Sequence, residues 1–244
     1  MKKFFYTLIF LAILFSSCFA QEIRVIPYPE GTDTQSEGAS SAPANINHDF
    51  SIYFDTLTDY FELKSTKNRV MLTHYPTYQQ TKENTCGPAA ALTVLYYFGV
   101  QDYDEAFLAV EMKTRPYPIG TNPGDMLAFF ERIGWKTQSN LTHSRFDDYN
   151  VFRDFILENL SGGVPVMVEN VEWGGHWRVI IGYDTMGTES TLDDVLILAD
   201  PYDTCDHKQD GYVVNNGEKF YSMWFDHSML PEKQRDQPFI TARP

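Results

Sequence analysis
The 244-residue sequence has only three cysteines, Cys18, Cys86 and Cys205, too few for a disulfide scaffold. Basic residues are also scarce: 19 Lys and Arg stand against 33 Asp and Glu, a formal net charge of −14. No cluster of Lys or Arg is dense enough to hold a polyanion. So acidic a surface repels phosphate backbones and anionic lipid, and neither nucleic acid nor a membrane surface is an expected partner. Gly (15) and Pro (13) stand at ordinary levels, which excludes collagen-like and low-complexity chains. No internal repeat is visible, and past residue 20 no apolar run approaches the length of a membrane span. What is present in quantity is apolar side chain, 43% hydrophobic and 15% aromatic, enough for one well-cored domain.

The first 20 residues read as a signal peptide. Lys2-Lys3 is a positive start, Phe4 to Phe15 an apolar run of the right length, and Cys18 and Ala20 are small residues suited to cleavage before Gln21. Lys2 and Lys3 are the only charges in residues 1–21, so cleavage leaves 17 basic and 33 acidic residues, a net −16. A second reading makes Cys18 a lipid-modified cysteine, although Phe15 stands where such sites usually carry Leu. The expectation is an exported chain, periplasmic or extracellular, or else lipid-anchored through Cys18. After cleavage, Cys86 and Cys205 remain, either paired or kept as thiols for chemistry.

Residues 21–70 read as an N-terminal extension, with a Gly/Ser/Thr/Ala-rich flexible linker at 31–47 and a short strand at Glu22 to Pro27. Residues 71–244 form the main domain. Helical spacing predicts a helix from Cys86 to Phe98, stopped by Gly99. Asp102 with Glu105 resembles a capping box for a helix reaching Lys113. Asn122-Pro123 opens a third helix that stops at Gly134, and Asp148 a fourth that runs to Leu160. The period then changes to strand at Val164 to Glu169, His176 to Tyr183, Val195 to Asp200, Gly211 to Val214 and Phe220 to Phe225. Helices first and strands after predict an α+β fold, a helical layer packed on an antiparallel sheet.

Cys86 falls at the predicted helix start, where unpaired N–H groups and the helix dipole favour a nucleophilic thiolate. A buried structural cysteine is the competing reading. Gly87 lacks a Cβ and would let a substrate backbone approach. Pro88 suits a first helical turn. His176, after Gly174-Gly175 and at a strand start, can take and return a proton. Asp200 ends the next strand. A hairpin folded symmetrically about residue 188 sets it opposite His176, where its carboxylate could orient the imidazole; a bulge would make the two diagonal neighbours instead. Gln80, six residues before Cys86, could join the Cys86 N–H in holding an oxyanion, with Gln79 as a competitor. Trp173 and Gly175 border His176 and are the expected substrate contacts with Gly87; Trp177 would face away from His176.

With these blocks the sequence resembles the C39-like branch of the papain-like cysteine peptidases, from about Tyr75 to the C-terminus. The resemblance rests on Gln80 with Cys86-Gly87-Pro88-Ala89-Ala90, Gly120-Thr121, Gly163 to Val166, Gly175 to Asp184, and Asp200-Pro201. It implies a papain-like fold with Cys86 as nucleophile, His176 as base and acid, Asp200 as its orienter and Gln80 as oxyanion donor. Members that trim bacteriocin leaders are usually fused to a membrane transporter. This chain has no such span, so their substrate is not inherited.

The expected function is an exported cysteine peptidase acting on a peptide or protein, with no cofactor and no metal. Alternatives that keep the site are an acyl or peptidyl transferase and a cell-wall amidase; a third is a silent peptide-binding module. The run Asp200, Asp203, Asp206, His207 and Asp210 brings calcium to mind, but its spacing is not that of an EF-hand, and a solvated acidic loop is the plainer reading. The sequence leaves the oligomeric state open.

Overall fold
The computed structural model describes residues 22–42, 58–142, 145–206 and 208–244. The leader, Cys18, the second part of the expected linker and His207 lie outside the described residues. Among the described residues, the α-helices and strands in chain order are β1 (Arg69–Met71), α1 (Cys86–Tyr97), α2 (Glu105–Glu111), α3 (Pro123–Arg132), β2 (Lys136–Ser139), α4 (Tyr149–Ser161), β3 (Val166–Asn170), β4 (His176–Asp184), β5 (Val195–Ala199), β6 (Tyr212–Asn216), α5 (Gly217–Ser222) and β7 (Phe239–Arg243). The strands form one sheet in the order β2-β7-β3-β4-β5-β6, with β1 on the far end of β4, and every pairing is antiparallel. Helices packed on an antiparallel sheet give the expected α+β fold. Among the described residues no helix is long and apolar enough to cross a membrane.

Helix α1 is the centre of the packing. From Cys86 to Leu95 every residue is buried, so the helix is apolar all round rather than on one stripe. It lies against β4, whose residues His176 to Tyr183 are all buried. The core therefore fixes the start of α1 relative to the start of β4. Helix α3 opens on Asn122 and Pro123 as expected, and α4 is capped by Asp148, whose carboxylate accepts from Val151 N at 3.0 Å.

Several expectations are corrected. Glu22 to Pro27 makes only a single bridge, Val25 with Thr77. Residues 31–42 are not a free linker: Gly38 and Ala39 are buried, and Ser40 N donates to Gln80 O at 3.1 Å. Nor does the structure break near residue 70, since β1 joins the main sheet and Phe61 sits in the core. The aromatic segment expected as a strand at Phe220 to Phe225 begins instead inside α5, because the Asn216 side chain caps a helix there by accepting from Lys219 N at 2.9 Å. Strands β2 and β7, which pair with each other, were not anticipated.

The β4–β5 register decides how His176 meets Asp200. Near the hairpin, Asp184 pairs with Val195 and Gly182 with Ile197; beyond an irregularity at Ile181, Ile180 pairs with Leu198 and Val179 with Ala199. One further step sets Arg178, not His176, across from Asp200. The symmetric register about residue 188 is thus corrected by two positions, and His176 is the diagonal neighbour of Asp200 on the same face. Diagonal positions are still within reach of long or aromatic side chains. Without the extra residue, the upper register would run on and put Val179 across from Asp200. His176 would then face the other side of the sheet.

Candidate active site
Cys86, His176 and Asp200 come together. His176 Nε2 and Asp200 Oδ1 are 2.6 Å apart, and the Cys86 sulfur is near enough to the same ring to raise its pKa. With Nε2 on the carboxylate, Nδ1 is the nitrogen left for sulfur. All three side chains are buried, and both cysteines are free. No side chain caps the start of α1. The Thr85 hydroxyl bonds to Glu105 instead, leaving the first-turn N–H groups without a side-chain acceptor. Gln80 is buried nearby, its Nε2 donating to Lys82 O at 2.7 Å and its Oε1 without a partner. Gln79 is tied elsewhere, to the backbone of Asp200 and Asp203. Cys86, His176, Gln80, Trp173 and Gly175 line one cavity of about 170 Å³.

Burial alone would lower the pKa of His176. The Asp200 carboxylate and the Cys86 sulfur outweigh burial and push it up to about 9. Burial would also raise the Asp200 carboxyl, but His176, Arg178 and the Tyr202 N–H hold it below its usual value. The His176 contribution to stability is full below its ordinary value of 6.5 and is lost as pH rises through about 9. That of Asp200 is present above its ordinary 3.8 and is lost as pH falls through its lowered value. Asp200→Asn removes this coupling. The melting-temperature gap between wild type and variant should therefore be widest at about pH 5–6 and narrow above about pH 9. Thermal melts across that range test the account, and a gap of constant size would sink it.

Two glycines have reasons of their own. Gly87 does not line the cavity: a Cβ there would stand 2.7 Å from Thr121 Cβ, so the missing atom makes room for packing rather than for a substrate. Gly175 has φ +123, and its Cβ would meet Asp226 Oδ2 at 2.6 Å. Trp173, with φ 57 and 63% exposed, stands at the cavity rim beside Tyr202. Trp177 is buried and donates from Nε1 to Thr121 O at 2.9 Å.

Sequence reasoning missed four residues that shape the site. Arg178 reaches Glu172 at 2.8 Å and Asp200 at 3.9 Å, tying the Trp173 turn to the carboxylate. Tyr202 sets its ring edge-on to His176, and its N–H donates to Asp200 Oδ1 at 2.7 Å. Both lie within two positions of an expected site residue, the one signal that could have found them. Glu169 and Asp226 also line the cavity, and nothing in their neighbourhoods announces it. Helix α2 is capped by Asp104, which accepts from Phe107 N at 2.7 Å, so Asp102 and Glu105 form no capping box. Glu105 points inward. It accepts from Thr81 N (2.9 Å), Thr81 Oγ1 (2.6 Å), Tyr78 OH (3.0 Å) and Thr85 Oγ1. One buried carboxylate thus clasps the loop between Gln80 and Cys86. In the acidic loop, Asp203, Asp206 and Asp210 accept from the N–H groups of Gly211, Lys208 and Tyr212, which ties these carboxyls to the loop's own turns.

Residues 72–227 match the model of the Peptidase_C39 like family. The chain belongs to this family. The match spans every residue of the Cys86, His176 and Asp200 arrangement. With the helix-on-sheet arrangement described above, family membership gives the expected papain-like fold. Among solved structures, the chain is similar to the peptidase domain of Streptococcus ComA, a bi-functional ABC transporter of a quorum sensing pathway. Identity is 20%, with 70% of this chain and 99% of that one covered, at a TM-score of 0.48. It is also similar to a double glycine motif protease from an AMS/PCAT transporter in complex with the leader peptide. Here identity is 16%, with 73% and 96% covered, at a TM-score of 0.46. No curated protein matches the chain.

Proposed function
We propose that this member of the Peptidase_C39 like family is an exported cysteine peptidase using Cys86, His176 and Asp200. The observation that carries the reading is the imidazole of His176, held between the Cys86 sulfur and the Asp200 carboxylate at a cavity wall. Cys86 Sγ attacks the carbonyl carbon of a peptide bond. The oxyanion accepts from the Cys86 N–H and from the second N–H of Gln80 Nε2. His176 gives its proton to the leaving amine as the C–N bond breaks, which leaves a thioester on Cys86. His176 then takes a proton from water, the hydroxyl adds to the thioester carbon, and the C–S bond breaks to release the acid. Asp200 keeps the ring oriented and supports its cationic form throughout. Trp173 and Gly175 border the bound peptide.

Residues 1–20 serve as the export leader in this reading, with lipid attachment at Cys18 as the alternative.

The test is to incubate wild type and Cys86→Ala with a proteome-derived peptide library and to read new termini by mass spectrometry. New termini are expected with wild type alone, and iodoacetamide should label Cys86 before the more exposed Cys205. Equal cleavage by both proteins, or none by wild type, overturns the proposal. Amine adducts in place of free acids would move it to a transferase.

A further inference from the structure
We infer that the cleft selects a substrate cation, an ammonium or guanidinium group, held by Glu169 and Asp226. The inference rests on the peptidase reading and names the chemistry that the site takes. Glu83, Glu169 and Asp226 line the cavity, and among the described residues no Lys or Arg does. Glu169 comes from β3, where it pairs directly with Trp177, and Asp226 from the turn after α5; they are 2% and 0% exposed. Asp226 Oδ1 is fixed by Ser228 N (2.9 Å), Ser228 Oγ (2.7 Å) and Met229 N (3.0 Å). Its Oδ2 has no partner, and neither has Glu169 Oε2.

The two carboxyls meet over Gly175, the residue before His176. A Cβ on that glycine would stand 2.6 Å from Asp226 Oδ2 and 3.1 Å from Glu169 Oε1. The close approach of the pair to the catalytic strand thus depends on the glycine. Two buried carboxyl oxygens left without donors are costly, and a purely structural pair would be matched by a cation of the protein itself. The nearby buried Arg178 is committed to Glu172 and Asp200 instead. Burial, followed by the neighbouring Asp226, pushes the Glu169 carboxyl well above its usual range, the direction expected where two carboxyls face each other with no cation between them. An entering cation supplies the missing donors. At the rim, Trp173 and Tyr117 are 63% and 71% exposed, aromatic surface suited to the stem or charge of a basic group.

The cation is either a Lys or Arg side chain near the scissile bond or the free amino terminus of a short peptide. Matched peptides separate the two: Lys against norleucine, Arg against citrulline, and free against acetylated amino termini. Wild type should favour the cationic member by about tenfold or more in kcat/KM, an advantage ordinary for a site whose polar groups are otherwise left unpaired. Preference that survives acetylation assigns the side chain, and preference abolished by acetylation assigns the amino terminus. In Glu169→Gln and in Asp226→Asn, the ratio of charged to neutral substrate should fall toward one. Calorimetric binding of the same pairs to Cys86→Ala reads the selectivity without turnover. Selective binding with no cleavage by wild type would retain the inference and remove the peptidase reading. Equal handling of charged and neutral peptides by wild type and by Cys86→Ala, or full selectivity in both carboxyl variants, overturns the inference.

Discussion

Cys86→Ala and His176→Ala should each lower peptide hydrolysis by about 10⁴- to 10⁶-fold, and the double variant should be no slower than either single one. The reason is the shared proton. The imidazole is coupled to the Cys86 sulfur and leans on Asp200, so removing either end disables the same step. Non-additivity separates such a unit from two residues that merely line a pocket, whose effects would add. Neither change should unfold the protein: the rest of α1 through Leu95 stays packed, and truncation at the cavity wall removes little core. Initial rates on the best library peptide, with circular dichroism as a folding control, make the measurement. A loss under about tenfold in both single variants would sink the assignment.

Glu105→Ala should be the most damaging change to stability outside the core proper, by about 3–5 kcal/mol. Four donors converge on that carboxylate, from Tyr78, Thr81 and Thr85. Hydrogen bonds to a charged group contribute roughly 1.5–3 kcal/mol each, and stranded buried donors add a desolvation penalty; the terms are not additive. Glu105→Gln should fall between alanine and wild type, because its carbonyl still accepts while its NH₂ faces other donors. The melting temperature should drop by roughly 6–20 °C in the alanine variant. The clasp also spans the loop from Gln80 to Cys86, so residual folded Glu105→Ala should show a lower kcat. Urea unfolding provides the check: a difference below about 1 kcal/mol would mean that water replaces the carboxylate without penalty.

Where the sequence was legible, the signals were local. Asn122-Pro123 and Asp148 announced helix starts, and the unbroken apolar stretch after Cys86 announced a buried helix. The meeting of His176 with Asp200 followed from hairpin arithmetic, but the exact partner did not: the hairpin is centred between residues 189 and 190 rather than on 188, and the irregularity at Ile181, which leaves no mark in the residue types, takes back only one step. Glu105 looked like half of a capping box, since spacing alone does not distinguish a carboxylate turned outward from one turned into the loop behind it. Glu169 sat in an apolar run and Asp226 in a polar turn, and only the third dimension sets them side by side over Gly175. The pairing of β2 with β7 joins segments about a hundred positions apart, beyond any local signal. Linker composition misled at Gly38 and Ala39, where small residues allow close docking on the Gln80 loop rather than freedom.

The extra residue at Ile181 makes the hairpin a parity device. Added or missing residues in the exposed part of the tip, residues 186–190, leave the count along the ladder untouched, so that stretch is a tolerant place for an inserted tag or reporter. Losing a single residue between His176 and Gly182 would change odd to even. The sheet could still zip, yet the imidazole would emerge on the wrong side of it, giving a folded but inert protein.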